Sequence, residues 1–191
     1  MYRRNGQTED TAALFEELLH EHEAAIYRVG FRLTGNHEDA EDLVQDALFD
    51  AFLGFDRFES GTNFDRWIFR ILHTTYVDAQ RRAISRLNGH RNLSLDDEGL
   101  EKLADHSLPP DARLMAGALD EPWQQGLMRL KPDQRMLLVL CDIEGLSYEE
   151  AAQVMGRSVG TVRSRLHRAR LQLRKLLQPM LSLKPKEPAR K

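Results

Sequence analysis

Apolar residues recur along this chain at the three- and four-residue intervals of amphipathic helices, and alternating β-branched runs are missing. In TAALFEELLHEHEAAIYRVGFRLTGN, the residues Leu14, Leu18, Ile26, Val29 and Leu33 form one stripe, and Gly35 ends it as a helix breaker. The pattern restarts in NHEDAEDLVQDALFDAFLGF, with Asn36 placed to cap, acidic residues in the first turn, and a stripe of Ala40, Leu43, Val44, Ala47, Leu48 and Ala51. ESGTNF interrupts it. A third long helix is predicted over NFDRWIFRILHTTYVDAQRRAISR, capped by Thr62 or Asn63. From Ser85 to Asp111 the stripe fades among two glycines and a Pro-Pro pair, the composition of a linker. Helical spacing resumes in ARLMAGALDEPWQQGLMRL and again in PDQRMLLVLCDIEG, where Pro132 takes a first helical position. The predicted fold is all-α, with two small helical domains joined by a flexible linker. Residues 1–84 form the first, 85–111 the linker, 112–178 the second, and 179–191 a basic tail.

The second domain contains a helix-turn-helix. Ser147 and Glu150 have capping-box spacing, the helix they start ends at Gly156, and Ser158 can cap the next. Ala152 is small enough for the two helices to cross closely. At ~100° per residue, Val159, Val162, Leu166, Ala169, Leu173 and Leu176 share one face of the second helix, and Gly160, Ser164, His167, Arg168, Leu171 and Lys175 share the opposite one. Between Gly156 and Lys175 stand seven cations and no acid. Solvated helices usually mix charge signs. A helix that enters the major groove needs cations for phosphates, short polar groups for base edges and a glycine where the backbone comes close. The candidate DNA-binding residues are Arg157, Ser158, Gly160, Thr161, Arg163, Ser164, Arg165, His167 and Arg168.

Charge sharpens the division. The chain has 191 residues and a net charge of −3, divided as −7 over residues 1–82, −3 over 83–112 and +7 over 113–191. Opposite signs at the two ends imply modules with different partners. They also predict that the chain can close on itself, with the acidic module screening the basic helix. The single cysteine, Cys141, lies in an apolar run and is expected to be buried; a lone thiol suits a reducing compartment. The first residues hold no secretory apolar region, and no stretch approaches the ~20 apolar residues of a membrane span. The expected location is cytoplasmic, without membrane insertion.

The segment GLSYEEAAQVMGRSVGTVRSRLHRAR resembles the promoter-binding fourth region of bacterial sigma factors of the extracytoplasmic-function (ECF) group. EDAEDLVQDALFDAFLGFDRFESGTNFDRWIFRILHTTYVDAQRR resembles that group's second region, and the two come in the right order. The resemblance implies a subunit that joins core RNA polymerase through the largest subunit's clamp helices and the flap, and directs it to promoter DNA. It implies an anti-sigma factor as a further partner and a stress or envelope response as the setting. In such proteins the DAEDLVQDAL helix docks on the clamp, which points here to Asp39, Asp42, Leu43, Gln45 and Asp46; Leu43 suits core packing equally well. The loop and helix RFESGTNFDRWIFRILH match the segment that captures melted, non-template bases, which points to Ser60, Thr62, Asn63, Phe64, Trp67 and Arg70. Aromatics and cations are what single-strand binding uses, although Trp67 also falls at core spacing with Ile68, Ile71 and Thr75. The family often has Asn where this chain has Thr74. By resemblance, the acidic linker threads toward the polymerase active channel.

A helix-turn-helix repressor would account for residues 132–177 but leaves the second-region match unexplained. The HEHE of residues 20–23 tempts a metal reading, but metalloprotease spacing needs a second His where Ala24 stands. No nucleophile elbow, Walker loop or Cys/His ligand set occurs. The expectation is therefore a non-enzyme without metal or cofactor.

Overall fold

The computed structural model describes residues 5–59, 61–88 and 121–182. Ser60, most of the expected linker and the end of the basic tail lie outside these. All regular structure among the described residues is helical. The N-terminal half holds α1 (Asn5–Thr34), α2 (His37–Leu53), a 3-10 turn at Phe55–Arg57 and α3 (Phe64–Asn88). The C-terminal half holds α4 (Glu121–Met128), α5 (Pro132–Leu138) continued by a π turn at Val139–Ile143, α6 (Tyr148–Met155) and α7 (Val159–Ser182).

Local chemistry sets most of these boundaries. Gly35, at φ +82°, ends α1 in the left-handed region that a side chain would strain. Asn36 then caps α2 by accepting from the Asp39 amide at 2.8 Å, and Glu38 and Asp39 sit in the first turn, where the helix dipole favours them. Of the two candidate caps for α3, Asn63 is the one used, accepting from the Arg66 amide at 3.1 Å. α3 runs past the expected linker start at Ser85, because no glycine or proline interrupts it before Gly89. Ser147 and Glu150 form the full capping box, Gly156 closes α6 at φ +60°, and Ser158 accepts from the Thr161 amide to start α7. α7 continues through Pro179 to Ser182, so the helix extends into the expected tail. The π turn, in which the Glu144 amide reaches back to the Val139 carbonyl, has no sequence signature and was not anticipated.

The N-terminal helices bury Ile26, Val29, Leu33, Val44, Ile68 and Leu72, with an edge-to-face aromatic cluster of Phe15, Phe55 and Phe64 at one end. The C-terminal helices bury Met136, Leu137, Leu140, Val154, Val162 and Leu166. The two apolar groups are continuous, so the halves share one core. The chain is thus closed, but not as its net charges suggest. In the ion pairs at the edge of the seam, the acidic half supplies arginines and the basic half supplies carboxylates. Arg28 donates to both oxygens of Glu144 at 2.7 and 2.6 Å. Arg66 stands 3.8 Å from Glu150, and His73 stands 3.8 Å from Asp133. Among the described residues, the carboxylates that pair with cations of α7 are Asp133 and Asp142, both from the C-terminal half.

Candidate nucleic-acid and partner interfaces

The buried stripe of α7 follows its periodicity at the centre and departs at the ends, where Val159 and Leu176 are half-buried and Leu177 is buried instead. Val162, Leu166 and Ala169 are fully buried and Leu173 nearly so, while Gly160, Ser164, His167, Arg168, Leu171 and Lys175 are all exposed. Arg157, Ser158 and Arg163 are exposed too, and Thr161 is half-buried with its hydroxyl on Ser158 at 2.9 Å. Two of the seven cations have carboxylate partners, both within the C-terminal half. Arg165 donates to Asp133 at 2.6 Å, and Arg170 is held by Asp142 and Tyr148, which raises its pKa further. The Asp133 carboxyl is held below its ordinary range by His73 beside it and by the guanidinium groups of Arg165 and Arg157. The remaining cations project from one surface of a helix whose inner surface is packed. That surface presents Ser164 and His167 between Arg163 and Arg168, short polar groups among cations, the residue types that base edges and phosphates call for.

Loop residues Thr62 and Asn63 are exposed at the start of α3, although each makes one local bond, Thr62 to the Glu59 carbonyl and Asn63 as the cap. Arg70 is exposed about two turns further on. Phe64 differs from the sequence expectation. It is 3% exposed, packed between Phe15, His22, Phe58 and Trp67, and its ring faces the core. Trp67 is half-buried against Phe55, Phe58 and Phe64, leaving only part of its ring at the surface. Thr74 donates back to the Arg70 carbonyl at 3.0 Å, so its hydroxyl is turned onto its own helix. His22, from the HEHE run, contacts Asp65 at 2.6 Å. Among the described residues no cluster of His, Cys, Asp or Glu could hold a metal ion. Cys141 is half-buried rather than buried, and burial together with Asp142 pushes its thiol up to about 11.

On α2, Asp39, Asp42, Gln45 and Asp46 are exposed along one side, and Leu43 is nearly buried beneath them. The apolar surface continues toward the C-terminus of α2 as Phe49, Phe52 and Leu53, each more than half exposed, which sequence reading passed over. Acid beside apolar surface suits docking on a basic amphipathic helix. Asp39, Asp42 and Asp46 also border a cleft of about 430 Å3 that reaches Arg82 and Arg86 of α3 and Pro132 of the C-terminal half.

The residue least visible to sequence reasoning is Arg135, which is 5% exposed. Its five N–H groups meet five oxygens: the carbonyls of Leu127, Leu33, Met128 and Leu130 and the hydroxyl of Tyr76. None of these is a carboxylate. The counter-charge comes from the C-terminal ends of α1 and α4, whose open carbonyls and negative dipole ends converge on the guanidinium. Burial still lowers its pKa, with Tyr76 opposing the shift. Gln124, 1% exposed, serves the same helix end, donating to the Arg32 carbonyl at 3.2 Å and accepting from the Arg32 side chain at 3.0 Å. A lone Arg or Gln in a helical run carries no pattern that announces a partner about a hundred residues away.

Two family models match the chain: Sigma-70 region 2 over residues 18–86, and Sigma-70, region 4 over residues 121–173. The chain is 37% identical over 172 residues to the ECF RNA polymerase sigma factor SigE of Mycolicibacterium smegmatis, covering 89% of this chain and 65% of that protein's length. It is 30% identical over 172 residues to the ECF RNA polymerase sigma factor SigW of Bacillus subtilis, covering 87% of this chain and 90% of that protein. In three dimensions it is similar to the sigma factor RpoE of Bartonella quintana, solved in complex with the anti-sigma factor NepR. The TM-score is 0.68 at 29% identity, over 90% of this chain and 98% of that one.

Proposed function

The chain belongs to the ECF RNA polymerase sigma factors, and from this premise we propose how its helices divide the work of starting transcription. As a sigma factor it joins core RNA polymerase and directs it to promoters. Residues 1–84 dock on the polymerase clamp helices through Asp39, Asp42, Leu43, Gln45 and Asp46. The loop at 60–63 and the exposed side of α3, with Trp67 and Arg70, take melted bases of the downstream element; Phe64 supports that surface from beneath. Residues 112–178 contact the flap and read the upstream element through Arg157, Ser158, Gly160, Thr161, Arg163, Ser164, Arg165, His167 and Arg168. Residues 85–111 connect the two. The chain performs no chemistry itself, because the polymerase forms the phosphodiester bonds. The solved sigma factor that it resembles is held by an anti-sigma factor, and we propose a partner of that kind here, releasing the chain in a stress or envelope response. No helix among the described residues is long and apolar enough to cross a membrane, which fits work on polymerase in the cytoplasm.

The observation that carries this reading is the exposed, cationic face of α7 together with the acidic, partly apolar face of α2 on one chain. A repressor needs only the first. Mixing the chain with core polymerase and separating by size tests the second: co-elution at one-to-one stoichiometry is expected. A chain that binds duplex DNA but elutes apart from core polymerase would establish the repressor reading instead.

A further inference from the structure

A cleft of about 920 Å3 lies between α3 and α7, bordered also by the start of α5. Six cations line it: Arg81 from α3, Lys131 before α5, Arg157 before α7, and Arg165, Arg168 and Lys175 from α7. Asp133 is the single carboxylate among the described residues that border it, and Arg165 already holds it at 2.6 Å. Arg81 has a neighbour in Asp78 at 3.1 Å, one turn back on its own helix, but its side chain stays 56% exposed. In a chain of net charge −3, so many cations in one space focus a positive field that an anion would answer. The polymerase and DNA surfaces proposed above leave Arg81, Lys131 and Lys175 without a role.

The lining also says which anion fits. Four of the six cations are arginines, whose forked guanidinium meets two phosphate oxygens at once, and lysine meets phosphate as a point charge. An acidic peptide spreads single charges along its backbone at ~3.3 Å per residue, whereas linked phosphates concentrate theirs. Duplex DNA takes a recognition helix into its own groove; here the cations stand on two facing walls and would surround a smaller ligand. The volume lies within the ~300–1,000 Å3 of small-molecule sites. One stretch of wall is apolar, with Leu171 48% exposed and Val77 across from it on α3, and Gln80 and Gln172 bring amides.

We propose that this cleft binds an oligophosphate, free or carried by a nucleoside, between α3 and α7. The bound ligand withholds Arg157, Arg165 and Arg168 from upstream promoter DNA, so ligand and duplex weaken each other's binding by the same factor. The competition rests on the DNA reading above; the binding of phosphate does not.

Calorimetric titration of the full-length chain at about 0.15 M salt, with sodium tripolyphosphate and separately with GTP, tests the site. Saturable binding is expected. Equal affinity for the two supports the phosphate chain as the whole ligand, and tighter GTP binding supports a nucleoside seated against Leu171 and Val77. Arg81→Glu and Arg82→Glu then separate a site from general charge attraction. Both arginines are exposed and bond to Asp78, but Arg82 borders other clefts and not this one. Arg81→Glu is expected to weaken tripolyphosphate binding about fivefold, and Arg82→Glu to leave it within about twofold. Absence of saturable binding, or equal losses in the two variants, overturns the proposal. Arg81→Glu should keep the parent's affinity for an upstream duplex, which also shows that it folds, while more tripolyphosphate is needed to displace that duplex. Displacement at the same concentration from parent and variant overturns the competition. A chain that binds no duplex defeats the DNA reading, and the titrations then decide the phosphate site alone.

Discussion

Arg165 and Arg168 lie three residues apart on α7 and are differently engaged. Arg165 is held at 2.6 Å by Asp133, while Arg168 is exposed, with only a long bond to its own helix at the Ser164 carbonyl. Arg168 is thus free to meet a base edge. Arg168→Ala is expected to weaken binding to an upstream promoter duplex by about 1–3 kcal/mol and to relax sequence preference at one position. A competition assay across single-base variants of that duplex checks both effects. Asp133 carries its own prediction. Its folded-state pKa is depressed, by His73 first and then by Arg165 and Arg157. Its contribution to stability is therefore complete above the ordinary Asp value of about 4 and is lost as pH falls through the lowered folded-state value. In urea unfolding, the stability difference between parent and Asp133→Asn should shrink as the pH falls below about 4. The sequence displayed the cations of α7, because helical spacing assigns faces. It could not display Asp133 beneath Arg165, or the five acceptors around Arg135, because those pairings depend on how distant helices cross.

At the scale of the element, the caps and faces of α2, α6 and α7 were legible because each is settled within one or two turns. Asn36, Ser147 and Ser158 cap as their types and spacing require. The end of α3 was less so: Ser85 looked like linker, but the helix runs on to Asn88, with no glycine or proline before Gly89 to interrupt it. Phe64 was misjudged for a related reason. An aromatic at the start of a helix reads as a stacking platform, and only the packing of α1 against α3 shows that its ring turns inward. The acidic face of α2 carries the prediction at this scale. Asp42 and Asp46 are exposed and lie away from the core, so the double replacement Asp42→Lys, Asp46→Lys should leave the thermal midpoint within a few degrees of the parent. It should lower affinity for core polymerase at least tenfold, about 1.4 kcal/mol, as measured by fluorescence titration. Upstream-duplex binding should be unaffected.

For the whole molecule, net charge was the misleading guide. A −7 half beside a +7 half suggested that acid would cover the recognition helix. Instead, closure is apolar at its centre, is completed by the capped end of α1, and has ion pairs of the reverse sense at its edge. Exposed charge pairs are each worth only ~0–1 kcal/mol, so apolar burial, not the charge totals, decides where the halves meet. Arg165, Arg168, Leu171 and Lys175 of α7 border a cleft shared with His73, Val77, Gln80 and Arg81 of α3, so part of the α7 face looks onto the N-terminal half. The central claim is that one chain both engages polymerase and selects the start site. Run-off transcription on linear templates drawn from a randomised promoter library, with core polymerase and this chain as the only added factor, tests it most directly. Discrete transcripts that share an upstream and a downstream element, and that disappear when the chain is omitted, are the predicted result. Transcription no different from core polymerase alone would contradict the account.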